Sequence, residues 1–181
     1  MASTKTKKSV YSITLDPVAL GDLRAALRLM DKETSAKLRD MAQPLSKRLA
    51  GQLMMFGMAA PAPQTKLVLQ SMTTPRDRVI RVDLGGVKKV GRPYGGVKNA
   101  KGKPTKQEKA PAGALLWGTE YGSHEGVDRA GRKYSNRFKA RYKSTGYWIA
   151  PATDFYAPVV AREYSDGFTQ IVKELKLNGN A

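Results

Sequence analysis

The stretch from about Thr34 to Phe56 constrains this chain more than any other. Leu38, Met41, Leu45, Leu49, Leu53 and Phe56 recur every three or four residues, the spacing that lines up side chains on one face of an α-helix. Lys37, Arg39, Asp40, Lys47 and Arg48 fall mostly elsewhere, so an amphipathic helix is predicted whose apolar stripe must be buried. Pro44 lies inside it. A proline removes one backbone donor and crowds the preceding turn, so the helix is expected to bend there rather than stop. The stripe reads as a core face, not a membrane anchor. The longest apolar run, Leu53 to Ala60, is far short of the roughly 20 residues a spanning helix needs.

Other elements are built around this helix. Residues 1–15 form a basic arm, with Lys5, Lys7 and Lys8, that ends in a short strand over Val10, Tyr11, Ile13 and Leu15. No apolar signal-peptide core follows Lys8, so secretion by that route is not expected. Asp16-Pro17 is a helix start, with Asp16 as cap and Pro17 at the first helical position, followed by Leu20, Leu23, Leu27 and Met30 on one face. Past the long helix, Pro61 and Pro63 turn the chain. Strands are predicted at Lys66–Met72 and at Arg78–Leu84, where Val79, Ile80, Val82 and Leu84 are interleaved with Arg81 and Asp83. Ala114 to Tyr121 is read as a central strand running into a turn, with Gly118 and Gly122 as hinges, Trp117 and Tyr121 as packing residues and Glu120 as an ion-pair partner for a basic arm. Tyr147-Trp148-Ile149 is a last strand, ended by Ala150-Pro151-Ala152. A helix from Thr153 or Pro158 to Leu175 closes the chain, its apolar positions including Val160, Tyr164, Phe168, Ile171 and Leu175.

Two basic segments flank the central strand. Residues 85–113 are rich in glycine, proline and lysine, carrying Lys88, Lys89, Arg92, Lys98, Lys101, Lys103, Lys106 and Lys109. They cannot bury enough apolar surface to fold alone and read as a long loop or extended hairpin. Residues 123–146 carry Arg129, Arg132, Lys133, Arg137, Lys139, Arg141 and Lys143, interleaved with Tyr134, Phe138 and Tyr142. A helical turn would put these aromatics on one side, either docked on the body or exposed as a stacking platform for nucleic acid. Over the whole chain 32 Lys and Arg face 15 Asp and Glu, a formal net charge of +17. Such a surface is expected to meet a polyanion or an acidic protein.

Catalytic chemistry finds little support. There is no cysteine, which removes disulfides and thiolate chemistry. Gly102-Lys103 invites a phosphate-loop reading, but Pro104 stands where that motif has Ser or Thr. Ser123-His124-Glu125 has the residue types of a hydrolase triad, yet neighbours in sequence do not converge with the required orientation. Asp77, Asp83, Glu120 and Asp128 have no spacing that favours a metal nuclease. No catalytic residue, cofactor or metal is expected, and a non-enzymatic role is favoured.

The order of short motifs is more informative. Met41-Ala42-Gln43-Pro44-Leu45, Ala59-Ala60-Pro61, Thr65-Lys66-Leu67 leading to Gln70-Ser71-Met72, Leu116-Trp117-Gly118-Thr119 and Ile149-Ala150-Pro151-Ala152 follow one another over residues 18–175. In this order the chain resembles the tail-completion, or neck, proteins of long-tailed double-stranded DNA bacteriophages. It departs from that family in carrying Leu116-Trp117 where an acidic-aromatic pair is typical, and Trp148-Ile149 where Pro-Phe is. The expected architecture is α+β: an antiparallel sheet packed against a long kinked N-terminal helix and a C-terminal helix, with extended basic loops, in one domain over 16–181. The resemblance implies a virion protein made in the host cytoplasm. It would join itself in a ring, expected to be a hexamer, between portal-side and tail proteins, with the DNA passing through and no membrane contact. The basic-loop residues named above are the expected contacts to neighbouring subunits or DNA. The alternative is a basic nucleic-acid-binding module of ribosome- or nucleoid-associated type.

Overall fold

A computed structural model of the chain describes residues 10–14, 32–94, 107–127, 131, 133–135 and 137–178. The expected helix after Asp16, the phosphate-loop-like segment around Lys103, and Lys98, Lys101, Lys103, Lys106, Arg129 and Arg132 lie outside these residues. The elements in order are β1 (Val10–Thr14), α1 (Lys32–Ala59), α2 (Thr65–Leu69), β2 (Arg81–Gly85), β3 (Lys89–Tyr94), β4 (Glu108–Pro111), α3 (Ala112–Tyr121), β5 (Gly126–Val127), β6 (Lys133–Tyr134) and α4 (Ile149–Asn178). The fold is α+β, with a long N-terminal helix, antiparallel strand pairs and a C-terminal helix.

The helix read from its apolar stripe is α1, which continues through Pro44. Leu38, Ala42, Leu45, Leu49 and Leu53 are buried along it, with Met41 and Phe56 packed at the edge. Against them lie Val160 and Tyr164 of α4, with Phe168 and Ile171 beside them. The two helices run antiparallel, because Met41 meets Gly167 near one end and the Phe56 ring lies 6.2 Å from that of Phe155 near the other. Gly167 lies directly under the Met41 side chain. A Cβ there would stand 2.2 Å from Met41 Sδ.

β2 supplies the other wall of the core. Ile80, Val82 and Leu84 are buried while Arg81 and Asp83 are half-buried, the alternation expected of a half-buried strand. β1 pairs with it antiparallel, Ser12 opposite Asp83, and Thr73 bridges Asp83 through two backbone hydrogen bonds of 2.9 Å. β3 and β4 form an antiparallel hairpin, with Lys89 opposite Pro111 and Tyr94 opposite Glu108. The hairpin form expected within 85–113 is therefore present, but it is tied to the body by buried Val90 and gives way to helix at Ala112. Among the described residues of 123–146 there are the short β5–β6 pair and turns, and no helix.

Three predicted strands are not strands. Thr65–Leu69 is a helical turn in which Leu67 and Val68 both donate to Gln64 O. A short apolar run has no periodicity of its own, and Pro63 just before it favours a turn over extension. Ala112–Tyr121 is helical for a related reason. Ala112, Leu116, Thr119 and Glu120 are buried together, a helical face that the Leu-Leu-Trp run conceals, and Ala and Leu are strong helix formers. Tyr147 and Trp148 form the lead-in to α4, which starts at Ile149, earlier than expected, and includes Pro151 in its first turn and Pro158 further on. Among the described residues, no helix is long and apolar enough to cross a membrane.

Candidate interaction surfaces

Glu120 is buried, only 2 % exposed. Trp148 N–H and Ile149 N–H donate to its Oε2 at 3.2 and 2.8 Å, and Ala150 N–H donates to Oε1 at 2.9 Å. The carboxylate of α3 thus caps α4 from 28 to 30 residues away, satisfying N–H groups that have no partner within a helix's first turn and placing negative charge at its positive end. This corrects the expected ion pair with a basic arm. Tyr147 N–H also donates to Glu120 O at 2.8 Å. Gly146, at φ 72°, leaves room for the carboxylate: a Cβ would meet Glu120 Oε1 at 2.0 Å.

The glycines expected to act as hinges have fixed tasks. Gly118 lies within α3, and a Cβ there would stand 2.1 Å from the Phe138 ring, so the glycine admits that ring against the helix. Gly122 ends α3 at φ 73°, close enough to residue 141 that a Cβ would meet Arg141 O at 2.3 Å. Trp117, expected to pack inside, is 49 % exposed and stacks on Tyr121 at 5.8 Å. The buried tryptophan is Trp148.

The close approach at Gly122 draws residues 121–123 alongside 140–143. Ser123 N–H donates to Ala140 O at 3.0 Å, and Lys143 N–H donates to Tyr121 O at 2.8 Å. Tyr147 Oη donates to Arg141 O at 2.8 Å. These bonds fix the walls of an open groove of about 660 Å³ lined by Ser123, His124, Glu125, Lys139, Arg141 and Tyr142. The His124 and Tyr142 rings lie 5.0 Å apart, tilted by 33°. Lys139 takes φ 54°, a left-handed conformation uncommon outside glycine.

Phe138 and Tyr142 do not share one side. Phe138 faces inward under α3, whereas Tyr142 is 53 % exposed at the groove. Four-residue spacing has no helical meaning in a segment of turns. The Ser123, His124 and Glu125 set lines the groove with His124 turned toward Tyr142.

The other predicted contact residues that the structure describes are exposed. Lys88 Nζ donates to Gln70 O, Lys89 pairs with Glu108 at 3.1 Å, and Arg92 is exposed on β3. Lys133, Arg137, Lys139, Arg141 and Lys143 are exposed along the second segment, Lys143 lying over the Tyr147 ring. Gln64 Nε2 donates to Arg137 O at 2.6 Å and ties that segment to the α1–α2 turn. The carboxylates weighed for a nuclease are engaged otherwise. Asp83 pairs with Arg81 at 2.9 Å and Asp77 lies 3.5 Å from the same guanidinium, while Glu120 is the cap. Asp128 is outside the described residues.

A feature that sequence reading missed is an apolar end on the α1–α4 pair. Met54, Met55 and Met58 of α1 and Phe155 and Val159 of α4 are exposed, Met55 by 65 % and Phe155 by 68 %. The signal was present: these methionines lie off the buried stripe. Next to them Arg48 reaches across to α4, donating from Nε to Tyr156 Oη at 3.1 Å and forming a two-point ion pair with Glu163. Glu163 and the Tyr156 hydroxyl hold the guanidinium firmly protonated.

No protein-family model matches this chain, and no curated protein or solved structure matches it either.

Proposed function

We propose that this protein is a structural subunit of a bacteriophage neck, assembling with copies of itself into a ring at the head-tail junction. The observation that carries the reading is the exposed apolar end of the α1–α4 pair. Met54, Met55, Met58, Phe155 and Val159 remain open to solvent on two neighbouring helices in a chain of net charge +17. Large apolar side chains left exposed at one end of a helix pair suit a protein contact, and methionine adapts its shape to a partner. The motif order supports the neck assignment. Two of the motifs that carry the resemblance, Leu116-Trp117-Gly118-Thr119 and Ile149-Ala150-Pro151-Ala152, come together at one junction, because Glu120, next after Thr119, accepts from Ile149 N–H and Ala150 N–H. The basic β3–β4 hairpin and the Lys133–Lys143 segment are then arms toward acidic neighbours or the DNA.

The test is the assembly state of the purified chain. Analytical ultracentrifugation over rising concentration, with negative-stain electron microscopy, should reveal a closed ring alone or with portal-side and tail proteins. Met55→Asp and Phe155→Asp, both on exposed positions, should abolish it with the monomer still folded. Rings that persist unchanged in the double variant would refute this interface.

A further inference from the structure

We infer that the groove between residues 123–125 and 139–142 takes an unpaired nucleobase with its flanking phosphate, as found in a single-stranded stretch or at a frayed end of a nucleic acid. The groove's volume of about 660 Å³ falls within the roughly 300–1,000 Å³ of sites for small ligands. Its walls are set before any ligand arrives, by the Ser123-to-Ala140, Lys143-to-Tyr121 and Tyr147-to-Arg141 hydrogen bonds. Gly122 keeps the two walls close enough for those bonds.

Aromatic and cationic groups are combined there in the way a nucleotide requires. Tyr142 offers an exposed ring, and the His124 ring packs against it at 5.0 Å, tilted by 33°, which holds the Tyr142 ring in place for stacking. A base has a π-face whatever its identity, so stacking on that ring is sequence-tolerant. Lys139 and Arg141 supply the cations for the phosphate, and the left-handed backbone at Lys139 is a local strain of the sort that persists where surroundings fix it. Glu125, a carboxylate in the lining, repels a second phosphate and accepts from a base N–H. The base edge therefore lies toward Glu125 and the phosphate toward Lys139 and Arg141. An acidic peptide would engage the cations alone, and a duplex keeps its bases stacked on one another. Aromatic ring and cations together favour the single strand. This site needs no ring assembly, and the two proposals fail independently.

The experiment is fluorescence anisotropy of a labelled oligothymidylate with the full chain, with unlabelled oligothymidylate, blunt duplex DNA and polyglutamate as competitors. The single strand should compete well and the other two poorly. Tyr142→Ala should weaken binding about 5- to 150-fold, whereas Tyr142→Phe should retain it. Lys139→Gly, which suits the left-handed backbone, and Arg141→Ala should each lower affinity and flatten its salt dependence. Equal competition by duplex or polyglutamate would overturn the proposal, as would unchanged affinity in Tyr142→Ala. A check that needs no variant is photocrosslinking of an oligonucleotide carrying 5-iododeoxyuridine. Adducts on Tyr142 or His124 support the site, and adducts confined to other regions sink it.

Discussion

Replacing Glu120 by alanine removes the acceptor for three backbone N–H groups at the start of α4, those of Trp148, Ile149 and Ala150. Two of these residues are buried, so water reaches their amides poorly. Loss of a helix cap costs about 1–2 kcal/mol, and each buried donor left without a partner roughly 1–3 kcal/mol. Partial relaxation of the helix start lets some of the donors find water, so a total of about 3–5 kcal/mol is expected. Glu120→Gln keeps one carbonyl oxygen but turns an NH₂ toward backbone donors and removes the charge at the helix terminus, which gives about 1–3 kcal/mol. Urea unfolding followed by circular dichroism, extrapolated linearly, measures both. At roughly 2–4 °C per kcal/mol for a chain of this size, the alanine variant should melt about 6–20 °C lower. Amide exchange should reveal the loss first at residues 148–150, ahead of the α1 core. If Glu120→Ala unfolds within about 0.5 kcal/mol of the parent chain, the side chain is not the cap of α4 and this account of the junction is wrong.

Other consequences follow from the same contacts. Gly118→Ala drives a Cβ into the Phe138 ring and should lose about 1–3 kcal/mol by chemical denaturation; a neutral result would mean Phe138 is not seated there. Gly167→Ala meets only the flexible end of Met41, and the gain of about 1 kcal/mol in helix propensity should offset the crowding, leaving stability within about 1 kcal/mol of the parent. Tyr164, buried with its hydroxyl donating to Arg78 O at 2.7 Å, has its pKa pushed up to about 12 by burial. An unfolded tyrosine ionises near 10, so below pH 10 this term is fully present, and between about 10 and 12 the unfolded state loses its proton first and stability falls. The loss should be roughly 1–2 kcal/mol and absent in Tyr164→Phe, as alkaline denaturation curves would reveal. Replacing 97–105 with Gly-Ser-Gly spares the β3–β4 pairing and should leave melting unchanged while preventing ring assembly; a lower melting temperature would place that segment in the folding unit.

The long helices were legible because their signal is periodic. Leu38 to Leu53 repeat often enough for the helical face to be read directly, and Val160 and Tyr164 mark the matching face of α4. The alternation of Ile80, Val82 and Leu84 identified β2 in the same way. Short apolar runs carry no such signal. Leu67-Val68-Leu69 and Leu115-Leu116-Trp117 fit a buried strand or one turn of helix equally well, and their surroundings decided between them: Pro63 before the first, and for the second the burial of Ala112, Leu116, Thr119 and Glu120 along one helical face. The start of α4 was illegible for a different reason. No Ser, Thr, Asp or Asn stands at Trp148, so the helix lacks a local cap, and its beginning depends on a carboxylate nearly thirty residues away in sequence. The basic composition likewise announced a polyanion without saying where it would meet the chain. Sequence by itself determined the class of fold, the faces of its long helices and the sign of its surface, since these depend on spacing and charge along the chain. Only the tertiary structure decided what Glu120 binds, why Gly118 and Gly122 must be glycine, and that Tyr142 faces a cationic groove while Phe138 does not, because each depends on segments that meet only when the chain is folded.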